Sequence, residues 1–89
     1  MKQAAAFKVS LGIMPDYASA NGLRVDNVSE GKPGARAGLQ RGDIIKGIGD
    51  YKVQEVYSYM EALSKFKEGD TVPLIIERNG KIMDLKVTF

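Results

Sequence analysis

The sequence predicts a single α+β domain that is mostly β, with five or six strands, one short helix and one longer helix. Three observations support this: a strand-like pair of segments joined by Asn79-Gly80, turn residues at short intervals, and only one run long enough for a substantial amphipathic helix. The 89 residues suffice for one hydrophobic core. Apolar residues make up 44% of the chain and charged residues 27%, which is ordinary for a globular domain.

Several classes of function are disfavoured by what the sequence lacks. It has no His and no Cys, so Ser-His and Cys-His nucleophile pairs cannot form within the chain, and carboxylates alone are left as metal ligands. The net charge of +2 is scattered, and no basic stripe accompanies the four tyrosines, which argues against nucleic acid. No segment approaches the roughly 18 apolar residues of a membrane span. We expect a monomeric domain with no catalysis, cofactor or metal.

The first half of the chain predicts short strands around one short helix. Residues 1–6 are interpreted as a linker, followed by one domain over 7–89. Asn21-Gly22 lies between two strand-like segments and predicts a hairpin with a long connection. Segment 33–39 begins with Pro and ends near Gly, which indicates a single short helix.

The second half predicts a buried strand, the longer helix and a closing hairpin. Residues 44–48 form the strand, and Gly49-Asp50 turns the chain. The longer helix is predicted over 55–67. Its apolar stripe follows the i, i+4, i+7 spacing in Val56, Met60 and Leu63, and Tyr59 and Phe66 widen it. Such a stripe usually packs into a core, but one helix can face both a core and a groove.

The closing hairpin has a register that can be predicted. If Arg78 opposes Lys81 across Asn79-Gly80, one face pairs only apolar residues, as a buried sheet face requires. Those pairs are Ile76 with Met83, Leu74 with Leu85 and Val72 with Val87.

Two glycine-containing blocks indicate a particular family. Ser10-Leu11-Gly12-Ile13 precedes a strand, where successive N–H groups can point into one concavity that suits a carboxylate, although the pattern alone is weak. The segment 33–45 has the order Pro-Gly, Ala-Gly-Leu, Gly-Asp and Ile. It resembles the block of bacterial PDZ domains, which normally begins Pro-Ala. Asp43 in this block is interpreted as a turn residue that accepts nearby N–H groups.

The resemblance extends over about residues 7–89 and implies a PDZ-like, partly open barrel of the permuted bacterial type. Segment 11–17 is most similar to the PDZ segment of bacterial zinc aminopeptidases, with HtrA-type and C-terminal processing proteases as alternatives. It therefore implies a non-catalytic module cut from a larger protease. Such parents are usually exported, which implies a periplasmic or cell-surface location that the sequence itself does not establish.

The resemblance also implies how the domain would work. PDZ domains bind an extended C-terminus as an added β-strand between a loop-and-strand segment and the longer helix. Transferred to this sequence, the N–H groups of Leu11, Gly12 and Ile13 receive the carboxylate, and Met14 and Pro15 continue the strand. Ile13 and Leu63 line the pocket for the last side chain and Met60 its wall. Val56 lies opposite the third residue from the end and favours an apolar one.

Pro15 departs from the family pattern at this strand. It lies where the family offers a backbone N–H to the peptide, and proline has none, so one rung of the added strand is lost. Two functions therefore stay open. The domain either binds peptide or protein C-termini, or it is a structural docking or regulatory domain, with a vestigial groove, that packs on its parent's own peptidase domain.

Overall fold

The computed structural model describes residues 9–89, which form six strands and two helices. The predicted linker and the predicted domain start at Phe7 lie outside the described residues. In chain order the elements are β1 (Ile13–Pro15), β2 (Leu23–Val28), α1 (Pro33–Ala37), β3 (Ile44–Ile48), β4 (Tyr51–Lys52), α2 (Val56–Leu63), β5 (Thr71–Arg78) and β6 (Lys81–Thr88). The predicted class, mostly β with one short and one longer helix, is confirmed.

The strands form one open, antiparallel sheet. Its order is β1-β2-β3-β5-β6, and β4 pairs with β3 beside this path. Strand β1 is therefore at one end of the sheet and β6 at the other. No helix in the described part of the chain is long and apolar enough to cross a membrane.

The β5–β6 hairpin has the predicted register along its whole length. Arg78 pairs with Lys81, Ile76 with Met83 and Leu74 with Leu85. Asn79 and Gly80 both have positive φ, 54° and 80°, as a two-residue type I′ turn requires. Leu74 and Ile76 are fully buried, so the apolar face of the hairpin lies against the core.

The core lies on one face of the sheet, and several strands contribute to it. Its fully enclosed side chains come from the loop before β1, from β2, β3, β5 and β6, and from the residue after β4: Leu11, Leu23, Val25, Ile45, Ile48, Val53, Leu74, Ile76 and Val87. Helix α2 adds Tyr59, Ala62 and Leu63. This arrangement fixes α2 against the sheet and leaves its other side beside β1.

Helix α2 is shorter than predicted. It ends at Leu63, and Ser64 caps it by donating its backbone N–H to the Met60 and Glu61 carbonyls, 3.1 Å away in each case. The chain continues in tight turns because Phe66 packs elsewhere. Its ring stacks on Phe89, with centroids 5.8 Å apart. Phe66 continues the apolar periodicity of the predicted helix, but its position reflects this packing contact and not another helical turn.

The start of α2 is fixed by a reciprocal cap between Glu55 and Ser58. The Glu55 carboxylate accepts the backbone N–H groups of Tyr57 and Ser58 at 2.9 and 3.0 Å, and the Ser58 hydroxyl accepts the Glu55 N–H at 3.2 Å. These hydrogen bonds, those from Ser58 foremost, favour the charged form and lower the pKa of Glu55. The cap determines where Val56 begins the helix.

Acid is therefore expected to weaken this cap. A carboxylate with a lowered folded-state pKa contributes its full stability above the unfolded-state pKa and loses it as the pH falls through the folded-state pKa. Denaturant unfolding of wild type and Glu55→Gln should thus differ most near neutral pH and converge in acid, because the amide does not titrate. A constant difference between the two proteins from pH 6 to pH 3 would contradict the assignment.

Asp43 is the buried charged residue among residues 9–89. Its carboxylate accepts the Gln40 N–H at 2.8 Å, which confirms the turn interpretation. It also accepts two hydrogen bonds from Arg78, both 2.8 Å. Arg78 donates a further one to the Gly38 carbonyl at 2.9 Å. This ion pair joins the end of α1, the start of β3 and the end of β5.

Candidate functional site

A groove of about 250 Å³ lies between β1 and α2. Ile13 and Pro15 line it from the β1 side, and Val56, Met60 and Leu63 line it from the helix. Val9, Ser10, Tyr17 and Tyr59 complete the lining. No residue of this described lining is acidic, and most of the surface is apolar. The groove can therefore hold an extended chain with apolar side chains.

The open edge of β1 faces this groove. On the other edge, Ser29 donates its N–H to the Gly12 carbonyl at 2.8 Å, and Asp16 donates to the Arg24 carbonyl at 2.9 Å. Because successive residues of an antiparallel strand point their polar groups to opposite edges, those of Ile13 and Pro15 point away from β2. Ile13 offers an N–H and a carbonyl there, whereas Pro15 offers a carbonyl only.

The loop before β1 has the conformation that its glycine permits. Gly12 has φ +72°, and the Cβ and Cγ of Lys32 lie where a side chain on Gly12 would be. The Gly12 N–H donates to the Ser10 hydroxyl oxygen at 3.0 Å. The exposed Ser10 oxygen thus accepts a hydrogen bond from one of the three N–H groups that the sequence assigned to a carboxylate.

The start of α1 holds this loop in place. The Gly34 N–H donates to the Leu11 carbonyl at 2.9 Å, and the Leu11 side chain is fully buried. A Cβ on Gly34 would lie 2.8 Å from that carbonyl oxygen, closer than real side chains approach. The glycine at a position where the family prefers alanine therefore allows close contact between α1 and the loop.

The structure places most of the predicted binding residues at the groove. Five of the eight line it: Ile13, Pro15, Val56, Met60 and Leu63. Leu11 and Gly12 form the adjacent loop, where Leu11 faces the core. Met14 points to the opposite side of the strand with 60% of its surface exposed. Its predicted place in the binding strand concerns the backbone alone.

The two interpretations of the helical stripe are both realised. Leu63 is 5% exposed and belongs to the core, whereas Met60 is 38% exposed and Val56 is half-buried against the core. The stripe therefore contributes to both the core and the groove, with Met60 the most exposed of the three side chains and Leu63 the most buried. The same side chains form part of the groove and fix the position of the helix.

Tyr59 and Tyr17 line the groove but were not among the predicted site residues. Tyr59 is buried, and this burial, with a smaller contribution from the charge of Tyr17, raises the pKa of Tyr59 well above its ordinary value. In the sequence Tyr59 was part of the apolar stripe, and Tyr17 had no periodicity to mark it. The proximity of the two phenols depends on how α2 packs beside β1.

A comparison with family models identifies this arrangement. The model of the PDZ domain matches residues 9–89. The chain belongs to the PDZ family. As a PDZ domain it is a non-catalytic, peptide-binding module of the kind that proteases carry, which confirms the prediction that the chain itself is not an enzyme.

Relatives of this PDZ domain include proteases of the two leading predicted types. The Do-like serine protease HtrA of Lactobacillus helveticus is 40% identical over 67 residues, which are 75% of this chain and 16% of that protein. An aminopeptidase N family protein of Idiomarina loihiensis has a TM-score of 0.83 and 32% identity, covering 97% of this chain and 15% of that one. This chain thus spans about a sixth of their length.

One solved structure shows the same fold as a separate domain with a peptide. The PDZ domain of HtrA3, bound to a phage-derived ligand of sequence FGRWV, has a TM-score of 0.71. Its identity is 19%, and the match covers 89% of this chain and 82% of that one. At this identity the comparison establishes the fold alone.

Proposed function

We propose that this domain binds the free, apolar C-terminus of a peptide as an added strand between β1 and α2. The observation that carries the proposal is the open edge of β1, where the Ile13 N–H and carbonyl face a groove that Met60 and Leu63 line. An antiparallel peptide would pair with Ile13 through its last residue. The HtrA3 PDZ domain, which has the same fold, was solved with the pentapeptide FGRWV, and this supports peptide binding here.

The loop before β1 would receive the terminal carboxylate. Its N–H groups, at Leu11, Gly12 and Ile13, would donate charge-assisted hydrogen bonds, each worth about 1.5–3 kcal/mol at most. The carboxylate would replace the Ser10 hydroxyl at the Gly12 N–H. Lys32, whose side chain covers Gly12, places a positive charge on the same side of the domain.

In its parent, the domain would present or gate substrates for an exported bacterial peptidase. The similarity to an HtrA protease and to an aminopeptidase N family protein supports a protease parent. The apolar lining of the groove favours apolar over charged side chains in the last residues of the ligand.

The decisive test is whether binding requires the free carboxylate. An acetylated pentapeptide ending in Ala-Leu-Val should shift the backbone amide NMR signals of Leu11, Gly12 and Ile13. We expect its C-terminal amide to bind at least tenfold more weakly, because the hydrogen bonds to a charged oxygen are lost. Equal binding of acid and amide would refute the carboxylate site.

A second candidate function is structural, and Pro15 favours it. Since Pro15 points its ring nitrogen to the open edge, a peptide strand loses one rung there, at about 0.5–1.5 kcal/mol. The domain would then pack on its own peptidase domain without a free ligand. The full-length parent with and without this segment tests this role. Unchanged stability and kinetics on its removal would exclude it.

A further inference from the structure

The broken rung at Pro15 leaves a specific group of the ligand without a partner. This inference rests on the proposed function. A peptide antiparallel to β1 pairs its last residue with Ile13 and its third residue from the end with Pro15, two positions along. Without an N–H at Pro15, the main-chain carbonyl of that third residue receives no hydrogen bond from β1.

Tyr59 carries a polar group that also has no partner among residues 9–89. Its side chain is 6% exposed, and no described hydrogen bond reaches its hydroxyl. Buried hydroxyls in folded proteins are nearly always hydrogen-bonded, because an unsatisfied one is costly. Among residues 9–89 no group accepts from the Tyr59 hydroxyl, so a bound ligand can provide the acceptor.

Tyr59 lines, from the α2 side, the groove that Pro15 lines from the β1 side. Tyr59, Pro15 and Tyr17 line the same cavity. Tyr17, which follows Pro15 by two residues, makes the smaller contribution to the raised pKa of Tyr59. Along α2, Tyr59 comes after Val56, which the proposed binding mode places opposite the third residue of the ligand, and before Met60.

We propose that the Tyr59 hydroxyl replaces the missing Pro15 N–H and donates a hydrogen bond to the main-chain carbonyl of the third residue from the ligand's C-terminus. One hydrogen bond satisfies both groups: the carbonyl that β1 cannot pair and the phenol that has no partner among residues 9–89. Since this contact is made to the main chain, it is compatible with the apolar side-chain preference that Val56 imposes.

The Tyr59 phenol is protonated over the whole physiological range and can donate. The ordinary pKa of tyrosine already lies well above neutral pH, and burial raises the pKa of Tyr59 further. The contact would act together with the carboxylate loop, the loop fixing the last residue and Tyr59 fixing the third. A groove with a proline at its edge would then retain a specific site for three residues.

The test is Tyr59→Phe, which keeps the ring and removes the hydroxyl. We expect the pentapeptide ending in Ala-Leu-Val to bind about three- to tenfold more weakly to this variant. The matched control is Tyr57→Phe, on the same helix but 79% exposed and outside the groove, which should bind as wild type. Thermal unfolding of both variants checks that the fold is kept.

Two further measurements identify the bond itself. An ester in place of the amide between Ala and Leu makes the Ala carbonyl a poorer acceptor. It should weaken binding to wild type and have a smaller effect on Tyr59→Phe. Restoring the strand N–H with Pro15→Ala should likewise make the loss of the Tyr59 hydroxyl less costly.

The outcomes separate this inference from the proposed function. If the free acid binds, its amide does not, and Tyr59→Phe binds as tightly as wild type, the carboxylate site stands and the role of Tyr59 is refuted. Additive effects of Tyr59→Phe and the ester would also refute it. If acid and amide bind alike, the proposed function itself fails.

Discussion

Replacing Arg78 with Met is expected to lower the free energy of unfolding by about 2–4 kcal/mol, because it leaves the Asp43 carboxylate buried without its counter-ion. The Asp43 side chain is 2% exposed and accepts two hydrogen bonds from Arg78. The Gly38 carbonyl loses a donor as well. Denaturant unfolding at neutral pH measures the change.

The exposed pair of Arg24 and Asp26 provides a matched control. Its atoms are 3.7 Å apart, and the two side chains are 58% and 46% exposed. Arg24→Met should cost less than about 1 kcal/mol, because water screens this pair in both states. Equal effects of the two substitutions would contradict the structural role of Asp43. Combining Arg78→Met with Asp43→Leu should recover part of the loss, since no buried charge remains.

Gly12→Ala is expected to reduce peptide binding at least tenfold and to lower stability by about 1–3 kcal/mol. A side chain at φ +72° is strained, and its Cβ would lie 2.3 Å from the Cβ of Lys32, whose position is fixed by the backbone. The loop must therefore move, and its N–H groups with it. The NMR titration with acid and amide peptides measures the binding, and thermal unfolding measures the stability.

Gly80→Ala is the control that separates the effect of backbone strain from a specific effect on the loop at Gly12. Gly80 has φ +80°, and nothing lies within 4 Å of where its Cβ would be. It belongs to the β5–β6 turn, outside the groove. We expect this variant to lose stability through strain and to bind peptide as wild type does. If it lost binding as Gly12→Ala does, the effect would reflect general destabilisation and not the loop.

Local signals in the sequence predicted much of the fold. The Asn79-Gly80 turn allowed one register that pairs apolar residues, and β5 and β6 have it. Helix α1 begins at Pro33 and is capped by Gly38, as predicted. Proline fits the first turn of a helix, and glycine accepts the positive φ, here 100°, at the end of the helix. The predicted end of α2 at residue 67 was wrong, and the helix ends at Leu63. Phe66 continues the apolar periodicity, but it packs on Phe89 outside the helix.

Some features of the candidate site were also predictable from the sequence, and others were not. The loop at Gly12 and the stripe of Val56, Met60 and Leu63 could be found in the sequence, since each is a local pattern. Ser10 was part of the predicted loop, but the hydrogen bond that its hydroxyl oxygen accepts from the Gly12 N–H was not predicted. Tyr59 was assigned to the apolar stripe, because periodicity reports the direction of a side chain and not the partner of its hydroxyl.

By itself, the sequence determined the features that have short-range causes: the turns, the hairpin register and the loop glycine. Its motifs also indicated the family. The tertiary structure alone decided which distant groups meet. It pairs Asp43 with Arg78, 35 residues apart, and brings Tyr59 of α2 and Pro15 of β1 to the same groove. The physical reason is that backbone preferences act over a few residues, whereas burial and hydrogen bonding between remote side chains depend on how helices pack on the sheet.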